Sequence, residues 1–121
     1  MKKILNLLIY LFRSKKVLNN KIEYRNKLRQ LHRTDGPAVE WSDGEKWWYI
    51  NGKLHRTDGP AIEYNDGSKE WYINGERHRE DGPSIEFSNG YKSWYLNDIK
   101  YSEEEFNQEV IKLKLKRLKN L

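Results

Sequence analysis

The sequence predicts a mainly β fold: an antiparallel β-meander of three units, with an N-terminal and a C-terminal α-helix as caps. Three ungapped copies of one 23-residue unit occupy residues 31–53, 54–76 and 77–99. Turn signals separate short strand-like runs within each unit, and the segments on either side of the units have helical patterns. A fixed period of this length is typical of repeat proteins, in which each unit buries its apolar face against its neighbours.

Length and composition favour a small domain with an aromatic core. A chain of 121 residues has room for one domain. Aromatic residues make up 13% of it, which suits a thin sheet whose core is one layer of large side chains. Cysteine is absent, which excludes a disulfide framework and a thiolate site and favours the cytoplasm, or the host cytoplasm for a phage protein.

Positive charge is concentrated at the two ends of the chain. Residues 1–30 contain nine Lys or Arg and one Glu. Residues 31–100 contain nine Lys or Arg and thirteen Asp or Glu, and residues 101–121 contain five and four. Basic ends that flank an acidic body indicate an anionic partner, either nucleic acid or an acidic protein face, although solvated flanks are an equal alternative.

The first 30 residues are expected to form a basic helix followed by an edge segment. Residues 4–12 are almost wholly apolar and are flanked by Lys and Arg, but they are too few to span a bilayer, which takes about 20 residues. We expect a helix that covers the first edge of the sheet. A partner-binding or membrane-binding helix and a signal peptide remain alternatives. Residues 21–27 resemble residues 46–53 and are expected to supply an edge strand.

Each unit contains two kinds of two-residue turn. The first kind is predicted to be a type I′ turn, because Asp-Gly and Asn-Gly tolerate the positive φ that both central positions need. These pairs are Asp43-Gly44, Asp66-Gly67 and Asn89-Gly90. The second kind comprises Asn51-Gly52, Asn74-Gly75 and Asn97-Asp98. The recurring Asp-Gly-Pro tripeptide is expected to reverse the chain at the other side of the sheet.

The predicted register assigns side chains to two faces. A type I′ turn at Asp43-Gly44 would set Val39 opposite Trp48, and the second turn would set Tyr49 opposite Leu54. The core face would then contain Val39, Trp41, Trp48, Ile50 and His55 and their counterparts. The opposite face would contain Ala38, Glu40, Tyr49 and the changing position Trp47/Glu70/Ser93. Positions that change between units, including Glu45/Ser68/Tyr91, are free to carry binding specificity.

Residues 101–121 predict a C-terminal amphipathic helix. Ser102 and Glu105 form a capping-box pattern, and Phe106, Val110, Leu113 and Leu118 form an apolar stripe. We expect a cap with a solvated basic face. The alternative is a nucleic-acid contact through the basic residues of the later turns, which are Lys112, Lys114, Lys116, Arg117 and Lys119.

The His-Arg-x-Asp-Gly-Pro motif is expected to be structural. Equivalent residues of neighbouring units would lie about 10 Å apart, too far for three His to share one zinc ion. A His-Asp pair can orient a nucleophile, but no Ser or Cys recurs beside it. We therefore expect no catalytic residue, no metal site, no cofactor and no small-molecule substrate.

The units resemble a known repeat family. The H-R-x-D-G-P-A segment and the W-Y-x-N-G segment, as at 48–52 and 71–75, resemble a variant of the MORN-type repeat over residues 31–100. Ser84 and Asn97-Asp98 depart from this pattern in the third unit. The resemblance implies an elongated single-layer sheet with a role in binding. Similar repeats occur in bacteriophages, prophages and large DNA viruses.

Together these observations favour a non-enzymatic protein that binds a protein or ribonucleoprotein partner. The mobile-element resemblance suggests an inhibitor of a host defence complex, such as a CRISPR-type ribonucleoprotein. RNA or other nucleic-acid binding through the basic ends and peripheral membrane association are the alternatives. The expected contact residues are Arg13, Lys15, Lys16, Arg25, Lys27, Arg29, Trp47, Glu70 and Tyr91.

Overall fold

The computed structural model of the protein describes residues 14–121, so the predicted helix at 4–12 and the candidate residue Arg13 lie outside the described residues. The described residues are mainly β, with one C-terminal helix, α1 (Glu103–Lys119). The strands are β1 (Ser14–Leu18), β2 (Lys21–Arg25), β3 (Val39–Trp41), β4 (Lys46–Trp47), β5 (Tyr49–Ile50), β6 (Lys53–Leu54), β7 (Ile62–Glu63), β8 (Lys69–Glu70), β9 (Tyr72–Ile73), β10 (Glu76–Arg77), β11 (Ile85–Glu86), β12 (Lys92–Leu96) and β13 (Ile99–Tyr101).

Nine of these strands form one antiparallel sheet in the order β1-β2-β3-β4-β7-β8-β11-β12-β13. The order follows the chain, as predicted for a meander. Two short hairpins, β5–β6 and β9–β10, continue from the sheet. Residues 21–25 do form a strand, but β1 lies outside it and is the edge.

The two kinds of turn differ in the structure. Asn51 and Gly52 have φ of 48° and 78°, and Tyr49 pairs with Leu54, so the predicted two-residue turn and its register are confirmed. At the other turn only Gly44 has a positive φ, of 97°. The type I′ prediction for the first kind of turn is therefore wrong.

The first kind of turn is a three-residue hairpin loop with glycine in the left-handed position. The Trp41 N–H donates to the Glu45 carbonyl at 2.9 Å, and the Gly44 N–H donates to the Trp41 carbonyl at 3.1 Å. Val39 consequently pairs with Trp47 instead of Trp48. A shift of one residue moves a side chain to the other face of a strand. The predicted grouping of Val39 with Trp48 on one face is therefore wrong.

The core lies on the face that contains Val39. Pairing places one row of side chains across the strands, composed of Glu23, Val39, Trp47, Ile62, Glu70, Ile85 and Ser93. Ala61, Ile62 and Tyr72 form a buried cluster, against which Trp47, Leu54 and Tyr64 pack. The changing position at 47, 70 and 93 therefore belongs to the core side, contrary to the prediction.

Helix α1 packs against the last strands of the sheet. Phe106 and Val110 are buried with Leu96, and Trp94 and Leu113 pack around them. The capping box is confirmed, since the Glu105 N–H donates to the Ser102 hydroxyl at 3.2 Å and the Ser102 N–H donates to the Glu105 carboxylate at 3.3 Å. Through Phe106 and Val110, the helix covers the apolar side chains of β12.

Candidate functional site

The arginine of each His-Arg-x-Asp-Gly-Pro motif is held in one fixed arrangement. Arg56 donates from Nε to Asp58 at 3.0 Å, and from Nη1 to the Pro60 carbonyl and to Glu63, both at 3.1 Å. Arg33 and Arg79 make the equivalent bonds, at distances of 2.8–3.5 Å. The motif thus organises the loop that precedes each unit's first strand.

The same arginine lies between an aromatic ring and a glycine. The guanidinium carbon of Arg56 lies 3.9 Å from the centroid of the Trp48 ring in the preceding unit. Arg79 lies 3.8 Å from Trp71 in the same way. A Cβ on Gly59 would approach the Arg56 guanidinium carbon to 2.8 Å, which is too close. A side chain at position 59 would therefore displace the guanidinium. The arginine links consecutive units.

The repeated histidines support the second kind of turn. The Nδ1 atoms of His32, His55 and His78 accept hydrogen bonds of 2.9–3.1 Å from the backbone N–H of Asn51, Asn74 and Asn97. Each imidazole therefore satisfies a turn amide that the sheet leaves unpaired. The repeated histidine, arginine and aspartate are all engaged in the framework, in agreement with the structural interpretation of the motif.

The face opposite the core carries a row of alternating charges. Glu40 pairs with Lys46, Lys46 with Glu63, and Glu63 with Lys69, and the row continues through Glu86 and Lys92. Opposite charges on adjacent strands attract each other and favour this register. The row is close to neutral as a whole, so it supplies no strong field for an anionic ligand.

Glu70, one of the predicted partner-contact residues, is buried. Only 7% of the residue is exposed. Its two carboxylate oxygens accept hydrogen bonds from the hydroxyls of Tyr64 at 2.9 Å and Tyr72 at 2.8 Å. Burial, followed by the bond to Glu70, raises the pKa of both tyrosines well above the ordinary value. A residue held this way serves the fold.

Trp47 is also part of the core side. It is half-buried, pairs with Ile62, and lies 5.2 Å from the Trp41 ring. Its Nε1 donates to the Glu45 carboxylate at 2.7 Å. The register shift turns positions 47 and 70 toward the core side, whereas the sequence predicts them on the opposite face.

Tyr91 remains an accessible candidate contact. It is 45% exposed, and its ring stacks on Phe87 with a centroid distance of 5.5 Å. Phe87 is itself 38% exposed. The two rings form an open aromatic patch beside the last hairpin.

The described basic residues of the N-terminal cluster lie at the first edge of the sheet. Lys15 and Lys16 are exposed on β1. Arg25 is committed to the fold, since it donates to Glu23 at 3.0 Å and to the Arg29 carbonyl at 2.7 Å. Lys27 and Arg29 are exposed in the following turn.

The C-terminal basic residues lie at the opposite end. Arg117 forms a two-pronged ion pair with Glu80, at 2.6 and 3.2 Å, which fastens α1 to the third motif loop. Lys112 pairs with Glu109 at 2.9 Å, whereas Lys114, Lys116 and Lys119 are exposed along the helix. Eight strand spacings, about 38 Å measured along the sheet, separate β1 from β13, and α1 packs beside the β13 end. The structure therefore does not bring the two clusters together.

Two features escaped the sequence interpretation. The first is the stacking of arginine on an aromatic ring. The sequence contains a pattern that indicates it, because Trp48 and Arg56 are eight residues apart and the same spacing recurs at Trp71 and Arg79. The exposed aliphatic residues of α1 were the second feature, since Leu118 was predicted to lie on the docked stripe but is 64% exposed.

Comparisons of the chain with protein-family models, curated proteins and solved structures found no match. Among the described residues, no helix has the length and apolar content needed to cross a membrane. Within residues 14–121, His, Asp and Glu form no group of three or more that is placed to hold a metal ion.

Proposed function

We propose that the protein is a non-enzymatic binding scaffold, built from three units of the MORN type, that engages a macromolecular partner through side chains that do not recur between units. The recurring sequence maintains a rigid sheet. The exposed, non-recurring residues at its two ends and beside the last hairpin make the contacts.

The engagement of the recurring polar groups in the framework carries this proposal. Each motif arginine has three hydrogen-bond partners, and each motif histidine accepts from a turn amide. The same arrangement occurs at every unit, which is what a scaffold needs, whereas an active site needs to occur only once. Tyr91, Lys15 and Lys16 are outside this arrangement and exposed.

The partner we propose is a protein or a ribonucleoprotein of the host cytoplasm. The alternating charge row favours a partner that contacts discrete patches over one that coats the whole sheet with anionic groups. The resemblance to repeats of phages and prophages supports the narrower proposal that binding inhibits a defence complex, including one of the CRISPR type.

Capture from host cytoplasm tests the proposal. The full chain is immobilised, and the extract is applied at low and high salt, with and without nuclease. We expect a stoichiometric protein that persists through high salt and nuclease, is lost with the Tyr91→Ala, Lys15→Glu, Lys16→Glu variant, and is retained by the matched Lys53→Glu variant. Failure to capture any stoichiometric macromolecule contradicts a binding scaffold.

Nucleic-acid binding is the second candidate, favoured by the exposed lysines at both ends. Its distinguishing property is salt dependence, because each phosphate contact contributes about 0.7–0.9 to the slope of log K against log salt. A captured RNA that is lost at high salt, and weakened by Lys114→Glu and Lys116→Glu, supports this candidate against the first. Membrane association by residues 2–16 is tested by flotation with vesicles, with and without that segment.

A further inference from the structure

Helix α1 has apolar side chains on two sides, and only one side is used by the sheet. Phe106 and Val110 are buried against Leu96, and Leu113 packs beside them. Ile111, Leu115 and Leu118 are 57%, 53% and 64% exposed. A helix that needs only one apolar stripe to dock has a second stripe facing solvent, and such exposed patches mark interaction sites.

The exposed residues have the spacing of a coiled-coil seam. Ile111, Leu115 and Leu118 are four and three residues apart, which corresponds to successive d, a and d positions of a heptad. At 100° per residue, Phe106 and Val110 project from the other side of the helix. The seam is therefore more than half exposed at each of its three residues and is available to another helix, although Ile111 also borders a cavity beside Trp94.

The positions that flank the seam are basic. Lys112 and Lys119 occupy e positions and Lys114 occupies a g position, and all three are exposed. Residues at e and g select the partner of a coiled coil through charge. A second copy of this helix would bring lysine against lysine, which is repulsive. Carboxylates at the facing positions would be attractive.

We propose that the outer face of α1, formed by Ile111, Leu115 and Leu118, is a docking site for an amphipathic helix of a partner protein whose flanking residues are acidic. This inference rests on the proposed scaffold function and names a surface and a partner class for it. A heptad seam favours a helix over a lipid surface, because only three aliphatic side chains are available to enter a bilayer.

The test uses the full chain and two synthetic peptides of about three heptads, both with Leu at a and d. One peptide has Glu at e and g, and the other has Lys. Fluorescence anisotropy measures the binding of each labelled peptide. We expect the Glu peptide to bind at least about tenfold more tightly than the Lys peptide, and the preference to weaken with salt.

Two variants make the test specific. Leu115→Glu should abolish binding of the Glu peptide, while circular dichroism shows that the helix is retained, since Leu115 is exposed. The Lys112→Glu, Lys114→Glu, Lys119→Glu variant should reverse the preference toward the Lys peptide. No binding of either peptide, equal binding of both, or binding that survives Leu115→Glu overturns the proposal.

Further outcomes separate the other occupants. Binding to vesicles that contain phosphatidylserine, with no binding of the Glu peptide, would assign the face to a membrane and overturn the proposal. Self-association that Leu115→Glu abolishes would assign it to a second copy. A third outcome concerns a partner captured from extract. If the Leu115→Glu variant still binds that partner, and the variant that lacks Tyr91 and the β1 lysines does not, the inference about α1 is refuted while the scaffold function stands.

Discussion

Replacing Gly59 by alanine tests how the units are joined. Gly59 has no positive φ, so alanine is compatible with the backbone itself. Its Cβ would lie 2.8 Å from the Arg56 guanidinium carbon. Because that group is stacked on Trp48 at 3.9 Å and bonded on its other edges, it cannot move without losing contacts.

The contacts at risk set the size of the effect. The stacking of Arg56 on Trp48 contributes about 1 kcal/mol. Its bond to the Pro60 carbonyl, where the arginine side chain is 20% exposed, contributes about 1.5 kcal/mol. The ion pairs with Asp58 and Glu63, whose carboxylates are more exposed, add about 0.5 kcal/mol. Alanine at an ordinary φ returns about 0.5–1 kcal/mol by restricting the unfolded chain. The net loss is about 2 kcal/mol.

A double-mutant cycle measures how much of the cost of Gly59→Ala depends on Arg56. Urea unfolding, followed by tryptophan fluorescence, gives the free energy of unfolding for Gly59→Ala, Arg56→Ala and the double variant. In the Arg56→Ala background the obstacle is gone, so Gly59→Ala should stabilise the protein by about 0.5–1 kcal/mol. The reasoning is refuted if Gly59→Ala costs the same in both backgrounds, or if it stabilises the protein that retains Arg56.

Three further predictions concern other parts of the framework. His55→Ala should lower the free energy of unfolding by about 1 kcal/mol, because the amide of Asn74 loses its acceptor. His55→Asn, which restores an acceptor, should recover part of this loss. Equal losses for the two variants in urea titrations would contradict the role of Nδ1. The two tyrosines that donate to Glu70 should ionise at higher pH than the other tyrosines, so their contribution to stability should be full below pH 10 and should fall as the pH rises above it. Absorbance at about 295 nm follows the ionisation, and Glu70→Gln should lower the pKa of both tyrosines. Ionisation of these two tyrosines together with the remaining ones would contradict the buried network. Phe106→Ala should lower the free energy of unfolding by about 3 kcal/mol, whereas the matched Leu118→Ala on the exposed side should change it by less than about 0.5 kcal/mol. Similar costs for both variants would contradict docking of α1 through the Phe106 side alone.

Local signals predicted local structure well. The turn at Asn51-Gly52 was predictable because two adjacent positive φ values restrict the residues that fit. The capping box of Ser102 and Glu105 was predictable because both partners lie within one helical turn. The meander order followed from the short connections between strands.

The faces of the sheet could not be predicted from the same signals. Asp-Gly is compatible with a two-residue type I′ turn and with a three-residue loop in which only glycine is left-handed. The choice between them shifts the register by one residue and exchanges the faces. The two-residue turn places Glu70 and Trp47 on the face opposite the core, whereas the three-residue loop places them on the core side.

Glu70 also shows why variation between units is a poor guide to exposure. Trp47 and Leu54 correspond, 23 residues further along the chain, to Glu70 and Arg77. The Arg77 Nε lies 3.7 Å from the Glu70 carboxylate, so an apolar pair is replaced by a charged one. The simultaneous change at both positions was the available signal that they are neighbours.

The central claim is that recurring residues hold the sheet and non-recurring exposed residues bind the partner. The most direct test measures melting temperature and partner capture together for two sets of variants. We predict that Arg56→Lys lowers the melting temperature without reducing capture by the folded protein. Tyr91→Ala with Lys15→Glu and Lys16→Glu should abolish capture without changing the melting temperature. The claim would be contradicted if the folded Arg56→Lys protein lost the partner and the triple variant at Tyr91, Lys15 and Lys16 still captured it fully.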